Sequence, residues 1–215
     1  MKNKITISSV LGEGLNIGLK NALSIICAIV LWLLTLWVPY INVGTTIAIC
    51  AIPVALAQGK TISPLFIFES KYRKMMGEFF LLAVFIYMAM IPLLLFLIVP
   101  AFVVGIAWSL AFYLLIDKGL APGEALTTSN RLTYGYKWRI FGVSVVIAIV
   151  PLLLACISLL AGNVADSWWF LLLMLVIELL IAVWGLGCDA VIYRNLSAEE
   201  PKENAISADL ITEID

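Results

Sequence analysis

Residues 79–116 form a run of 38 positions without a charged side chain. The hydrocarbon core of a bilayer takes about 20 residues of helix, so this run is too long for one transmembrane span and about right for two. Composition agrees, because 63% of the residues are apolar, 13% are charged and the mean hydropathy is +1.09. These features exclude a water-soluble domain and predict an integral membrane protein.

Further apolar runs bring the prediction to six transmembrane helices. They occupy residues 22–38, 43–57, 140–161 and 168–187, while Pro100 marks the turn between the two spans of the charge-free run. The run at 43–57 is short and contains Pro53, which favours a kinked or broken helix. We therefore predict an all-α polytopic membrane bundle at residues 1–196, followed by an acidic cytoplasmic tail at residues 197–215. That tail is either solvated or carries a short helix that binds a partner.

Three polar segments, starting near Ser9, Ser63 and Ala121, each precede a pair of spans. Each is predicted to form an amphipathic helix at the cytoplasmic interface. In the first segment, Gly14 and Gly18 are spaced to form a smooth ridge that another backbone can approach closely. The order of interfacial helix, span, outer turn and returning span predicts an architectural repeat, although insertion of successive hairpins would give the same order without a duplication.

Basic residues follow the same segments. Residues 1–21, 58–78 and 117–140 hold three, four and four Lys or Arg, and the loops at 39–42, 99–100 and 162–167 hold none. By the positive-inside rule, this asymmetry predicts that both termini lie in the cytoplasm.

Several classes of site are excluded by residue types. The chain has no histidine, and its four cysteines lie in or beside apolar runs without a CxxC pair, so we expect no metal, redox centre or cofactor. The net charge of −1 and the spacing of the basic residues argue against a nucleic-acid partner.

Glu178 lies near the middle of the sixth predicted span. A carboxylate at that depth costs roughly 2.5–3.5 kcal/mol on insertion scales, so it should face the protein interior, be protonated or have a partner. Counted along their own spans, Tyr87, Trp108 and Ser109 reach a similar depth and are candidate hydrogen-bond donors. The residue is either a proton-linked or cation-binding site, or a structural hydrogen bond between helices.

Basic side chains at the cytoplasmic interface are candidates for contact with lipid headgroups or a partner protein, because each attracts anionic lipid by about 1 kcal/mol. The first group surrounds Trp138 and consists of Arg131, Lys137 and Arg139, and the second consists of Lys71, Arg73 and Lys74. A simpler alternative makes Arg131 part of an internal ion pair with Asp117 or Glu124 that docks its helix against the spans.

One motif runs from the fourth span into the fifth. A span ends in an acidic residue, a helix that starts with proline has the sequence E-A-L-x-x-S, and a glycine and a tryptophan lead into the next span. The positions are Asp117, Pro122, Glu124, Ala125, Leu126, Ser129, Gly135 and Trp138, with Tyr193 and Arg194 in a second stretch at 190–196. This pattern resembles bacterial six-span proteins that include the membrane domain of some glycerophosphodiester phosphodiesterases and the uncharacterised YciC-like inner-membrane proteins.

The resemblance implies a six-span membrane module with no common established activity. The phosphodiesterase domain of some members is absent here, because no soluble segment is large enough to form it and no histidine supports its acid–base and metal chemistry. We therefore expect a non-enzymatic module that organises membrane lipids or acts as an adaptor for other membrane proteins. The alternative is a small transporter or lipid-translocating protein that uses Glu178.

Overall fold

The structure is a computed structural model that describes residues 5–160 and 167–198. It is a helical membrane bundle, as predicted. The outer loop at 162–166 and the acidic tail from residue 199 onward lie outside the described residues. The elements are α1 (Ile7–Lys20), α2 (Ala22–Thr35), α3 (Pro39–Ala57), a 3₁₀ helix (Pro64–Phe68), α4 (Ser70–Lys74), α5 (Met76–Phe96), α6 (Ile98–Ala107), α7 (Ala111–Lys118), α8 (Pro122–Thr133), α9 (Lys137–Leu160) and α10 (Trp168–Ser197).

Five candidate spans in the described part of the chain are long and apolar enough to cross a membrane. They are α3, α5, α9, α10 and the pair α6–α7. A sixth arises if α1 and α2 count as one span, and these two helices meet at 75°. That bend agrees with the expected turn of the leading helix into the first span.

The glycine ridge of α1 lies against α10, as predicted. A Cβ on Gly14 would lie 2.6 Å from Cys188 Sγ, and Gly18 is also fully buried against this helix. Trp184 Nε1 donates a hydrogen bond to the Leu11 carbonyl oxygen at 3.0 Å. The leading helix therefore packs along the second half of α10.

The fourth span is interrupted at residues 108–110, where tight turns replace the regular helical hydrogen bonds. Ser129 of α8 fills the gap, since its Oγ donates to the Ala107 carbonyl oxygen at 2.7 Å and accepts from Leu110 N at 3.1 Å. Backbone groups freed inside a membrane protein need such partners. The predicted helix that Pro122 opens thus completes the broken span.

The second polar segment is not one interfacial helix. Ser63 caps its start and accepts a hydrogen bond from Leu65 N, but the 3₁₀ helix ends after five residues and the chain restarts as α4. The segment folds back along α3, so that the Arg73 side chain lies against Gly44. The helical spacing of apolar residues does not predict this break, because packing against α3 determines where the helix ends.

Two predicted turns are wrong by a few residues. The turn between the third and fourth spans falls at Leu97, and Pro100 belongs to the first turn of α6, where a missing backbone N–H costs little. Likewise, Pro39 opens α3 instead of forming an outer loop. The three-unit architecture stays a prediction, and both duplication and successive hairpin insertion stay open as its origin.

Burial divides the long helices into two ends. The buried side chains of α5 and α9 are Leu82, Ile140 and Val143, close to where these helices begin. In α10, burial is concentrated from Val183 onward. The polar end of the bundle consists of the starts of α5 and α9 and of α10 from Val183 onward, together with α1, α7, α8 and residues 58–74. We call the opposite part, where α5, α9 and α10 expose large apolar side chains, the apolar end.

Candidate functional site

Two tyrosine–carboxylate pairs join α7 to α10 at the polar end. Tyr193 Oη donates to Asp117 Oδ2 at 2.5 Å, and Tyr113 Oη donates to Asp189 Oδ2 at 3.0 Å. Each helix supplies one tyrosine and one aspartate, four residues apart and therefore on one helical face. The two rings also meet edge to face, with centroids 5.8 Å apart. We call these four residues the Tyr–Asp ladder.

Asp117 has a further partner on its open side. Gln58, just beyond the end of α3, donates through Nε2 to Asp117 Oδ1 at 2.5 Å. The Asp117 carboxylate therefore binds one donor on each oxygen, whereas a carboxylate can accept about four hydrogen bonds. Asp117 thus fixes α3, α7 and α10 together and keeps acceptor capacity toward the surface.

A cavity of about 460 Å³ opens beside Asp117, between α3, α7 and the folded-back segment. Its floor is apolar, formed by Ala51, Val54, Ala55 and Ile116. Its rim is polar and carries charges of both signs, with these residues: Gln58, Lys60, Thr61, Ser63, Glu69, Lys71 and Asp117. We call this the headgroup cavity for its amphipathic lining.

Lys71 is held in place on the rim of the headgroup cavity. Its Nζ lies 2.6 Å from Glu69 Oε2, and it sits over the rings of Phe66 and Tyr72 at 5.4 and 4.7 Å from their centroids. Burial raises the pKa of the Tyr72 phenol, and the Glu69 carboxylate raises it further, so Tyr72 stays neutral. Lys71 therefore presents a positive charge in a fixed position.

Lys60 is positioned by the turn that ends α3. Gly59 adopts a φ of +71°, and Lys60 N donates to the Ala55 carbonyl oxygen at 3.0 Å, which is the Schellman pattern of a helix end. The backbone of Lys60 is thus fixed, while its exposed side chain is free to swing over the cavity mouth.

Glu178 is exposed on the surface of α10, so of the three alternatives that its depth predicts, the interior position is not the one in the structure. Protonation and a partner stay predictions. The structure does not gather the expected donors around it. Tyr87 is 65% exposed on α5, and Ser109 donates instead to the carbonyl oxygen of Ile106 at 2.8 Å. Trp108 lies at the interruption of the fourth span, which packs against α8.

The basic group around Trp138 lies at the junction of α8 and α9. Trp138 is 84% exposed, Lys137 Nζ donates to Asn130 Oδ1 at 3.0 Å, and the Arg139 guanidinium lies over the Tyr136 ring. In the second predicted group, Lys71 reaches the headgroup cavity, whereas Arg73 and Lys74 are exposed and do not line it.

The remaining motif residues have structural contacts or surface positions. Gly135 takes a φ of +83° in the turn between α8 and α9, a backbone conformation that other residues rarely adopt. Arg194 forms an ion pair with Glu13 at 2.6 Å, which joins α10 to α1. Glu124 is exposed in the first turn of α8, where a carboxylate stabilises the helix dipole.

The residues predicted from sequence did not include Gln58, Tyr113 and Asp189 around Asp117, nor Lys60 and Glu69 on the cavity rim. A usable signal exists, because Tyr113 precedes Asp117 by four residues and Asp189 precedes Tyr193 by four. Two spans that each carry one tyrosine and one aspartate at this spacing can form two matched hydrogen bonds.

No family model, curated protein or solved structure matches this chain. Within residues 5–160 and 167–198, no three acidic or cysteine side chains lie close enough together to hold a metal ion. Function is therefore inferred from the geometry of the polar end.

Proposed function

We propose that this protein is a non-enzymatic module that organises phospholipids at the cytoplasmic face of a bacterial inner membrane. The observation that carries the proposal is the headgroup cavity, whose apolar floor and charged rim match the boundary between acyl chain and headgroup. The apolar end supports it, because Leu95, Phe96 and Leu97 at the α5–α6 turn are all more than half exposed and suit hydrocarbon, not water.

Orientation supports the same function. The basic segments 58–78 and 117–140 both belong to the polar end. Under the positive-inside rule that end faces the cytoplasm, and its cations then lie at the surface where anionic lipids accumulate.

Native mass spectrometry of the protein released gently from its own membrane tests the proposal. We expect one or more phospholipids to remain bound at a defined stoichiometry, and Lys60→Gln with Lys71→Gln to remove most of that lipid. Lys74→Gln is the matched control, because this basic residue lies near the cavity without lining it. A protein that retains no phospholipid under conditions that preserve its fold contradicts the proposal.

A second candidate, an adaptor for another membrane protein, is favoured by the exposure of Glu178. Leu171, Leu175 and Ala182 are exposed at helical spacing on the same side of α10, so the carboxylate lies in an apolar stripe. A partner span with a Lys or Arg would neutralise it. Chemical cross-linking in the native membrane, lost in Glu178→Gln, is the result that identifies such a partner.

The transporter alternative has less support. It placed Glu178 inside the bundle, whereas the side chain is at the surface. The aspartates Asp117 and Asp189, which do lie between helices, are engaged by tyrosine hydroxyls.

A further inference from the structure

The headgroup cavity combines two ammonium groups with two carboxylates. Lys60 and Lys71 carry the positive charges, and Glu69 and Asp117 the negative ones. A purely anionic ligand would meet the two carboxylates as well as the two lysines, and like charges at close range are unfavourable. A ligand with separated positive and negative groups can pair with both the carboxylates and the lysines.

We propose that the headgroup cavity binds a phosphoethanolamine group, with its phosphate at Lys60 and Lys71 and its primary ammonium at Asp117. This inference rests on the proposed function and names the ligand class of the same cavity. The group occurs as the headgroup of phosphatidylethanolamine and in soluble phosphoethanolamine compounds, and the experiment separates these sources.

Phosphate contact is assigned to the two lysines by position. Lys71 Nζ already lies over two rings and beside Glu69, which fixes its charge at one side of the cavity. Lys60 lines the same cavity and directly follows the turn at Gly59. Two ammonium groups that line one cavity suit a tetrahedral phosphate with several acceptor oxygens.

Recognition of the amine depends on Asp117. Its two oxygens accept hydrogen bonds from Gln58 and Tyr193, and Lys118 lies within electrostatic reach of the same carboxylate. A carboxylate can accept about four hydrogen bonds in all, so Asp117 has capacity for further N–H donors. A primary ammonium brings three such donors, whereas the quaternary ammonium of choline brings none. Aromatic rings often enclose a quaternary ammonium. The two rings of this cavity, Phe66 and Tyr72, already contact the Lys71 ammonium. The cavity should therefore prefer ethanolamine over choline.

Competition among lipids tests the proposal with the full-length protein in detergent. Phosphatidylethanolamine, phosphatidylcholine and phosphatidylglycerol with identical acyl chains are mixed in equal amounts, and bound lipid is counted by native mass spectrometry. We expect ethanolamine lipid to exceed each competitor by about tenfold, as the loss of one charge-assisted hydrogen bond implies.

The variants separate the two halves of the ligand. Lys60→Gln should reduce all three lipids, because each contains the phosphate. Asp117→Asn should remove the preference for ethanolamine over choline and leave the total amount of bound lipid unchanged. The asparagine keeps an oxygen that accepts the hydrogen bond from Tyr193. Glu69→Gln provides a second carboxylate change that leaves the Tyr–Asp ladder intact. Glu124→Gln, outside the cavity, is the matched control. Thermal unfolding of every variant establishes that it is folded.

Each outcome has one meaning. Ethanolamine preference that Asp117→Asn abolishes and that Glu69→Gln and Glu124→Gln leave in place supports the inference, whereas a preference that survives Asp117→Asn overturns it. Equal binding of all three lipids, or preference for phosphatidylglycerol, overturns the inference and leaves the proposed function standing. Failure to bind any lipid, together with a rise in unfolding temperature on adding soluble phosphoethanolamine but not phosphocholine or inorganic phosphate, assigns the cavity to a soluble ligand and overturns the proposed function. No response to either lipid or soluble compound overturns both.

Discussion

Ser129 donates a hydrogen bond to the Ala107 carbonyl oxygen, 22 residues earlier in the chain, and so repairs the fourth span at its interruption. Replacing Ser129 with alanine leaves the buried Leu110 N–H without its acceptor, and leaves the Ala107 carbonyl oxygen only the longer hydrogen bond from Thr133 Oγ1 at 3.4 Å. We expect Ser129→Ala to lower the free energy of unfolding by roughly 1–3 kcal/mol, the cost of unsatisfied buried groups. Thermal unfolding in detergent measures it.

Thr127→Ala is the matched control for Ser129, since Thr127 is exposed on the same helix and its hydroxyl bonds only to backbone of its own turn. It should change the unfolding free energy by less than about 0.5 kcal/mol. Equal effects of the two substitutions would show that α8 does not complete the span.

Close contact between α1 and α10 predicts opposite effects for two glycines. A Cβ on Gly14 would lie 2.6 Å from Cys188 Sγ and 2.7 Å from Cys188 N, so Gly14→Ala forces the helices apart and should cost roughly 1–3 kcal/mol. Gly12, two residues earlier, has open space around it, and Gly12→Ala should stabilise the helix by about 0.5–1 kcal/mol. Unfolding midpoints of the two variants that shift in the same direction would be incompatible with this packing.

The Tyr–Asp ladder predicts that Tyr193→Phe destabilises the protein by roughly 1.5–3 kcal/mol, the range for a hydrogen bond to a charged group. Tyr134→Phe is the control, because Tyr134 is 79% exposed in the turn after α8. Loss of the Tyr134 hydroxyl should have no measurable effect on the free energy of unfolding. Chemical denaturation in mixed micelles gives both values, and a Tyr193→Phe variant as stable as the control would refute a bracing role.

Surface exposure of Glu178 predicts that Glu178→Leu is tolerated. The side chain has no hydrogen bond or ion pair within residues 5–160 and 167–198, so the unfolding free energy in detergent should change by less than about 0.5 kcal/mol. Asp189→Leu should cost more, because the Tyr113 hydroxyl loses its acceptor between the helices. Comparing the two midpoints tests which carboxylate of α10 the fold uses.

Topology is tested by labelling Lys60→Cys with a membrane-impermeant maleimide. The polar end is expected in the cytoplasm, so inverted membrane vesicles should label above the wild-type background and intact cells should not. Labelling of intact cells would reverse the orientation and place the headgroup cavity on the outer face.

Local features of this fold could be predicted from sequence, and distant pairings could not. The start of α8 at Pro122 and the ridge of Gly14 and Gly18 follow from residue type and spacing within one helix. The interruption at residues 108–110 itself contains neither glycine nor proline, and its freed backbone groups are satisfied by the distant Ser129.

For the candidate site, too, local features could be predicted from sequence and pairings between distant residues could not. Asp117 drew attention as a charge at the end of a span, yet its true partners, Gln58 and Tyr193, lie 59 and 76 residues away. Glu178 was predicted as a site only because it lies near the middle of its span. Position along a helix does not determine which side of that helix faces lipid. Position around the helix is set by packing among the spans, which sequence periodicity reports poorly when every face is apolar.

The packing of α1 against α10 also has a consequence for biogenesis. The Leu11 carbonyl oxygen and the Trp184 indole that bonds to it are 173 residues apart, so α1 leaves the ribosome well before the helix that it packs against. During synthesis the Gly14 and Gly18 ridge has no partner, and the nascent chain must keep it at the interface or against the insertion machinery. The contact between α1 and α10 therefore forms only after α10 has been synthesised, which makes the insertion of α10 the step that closes the bundle.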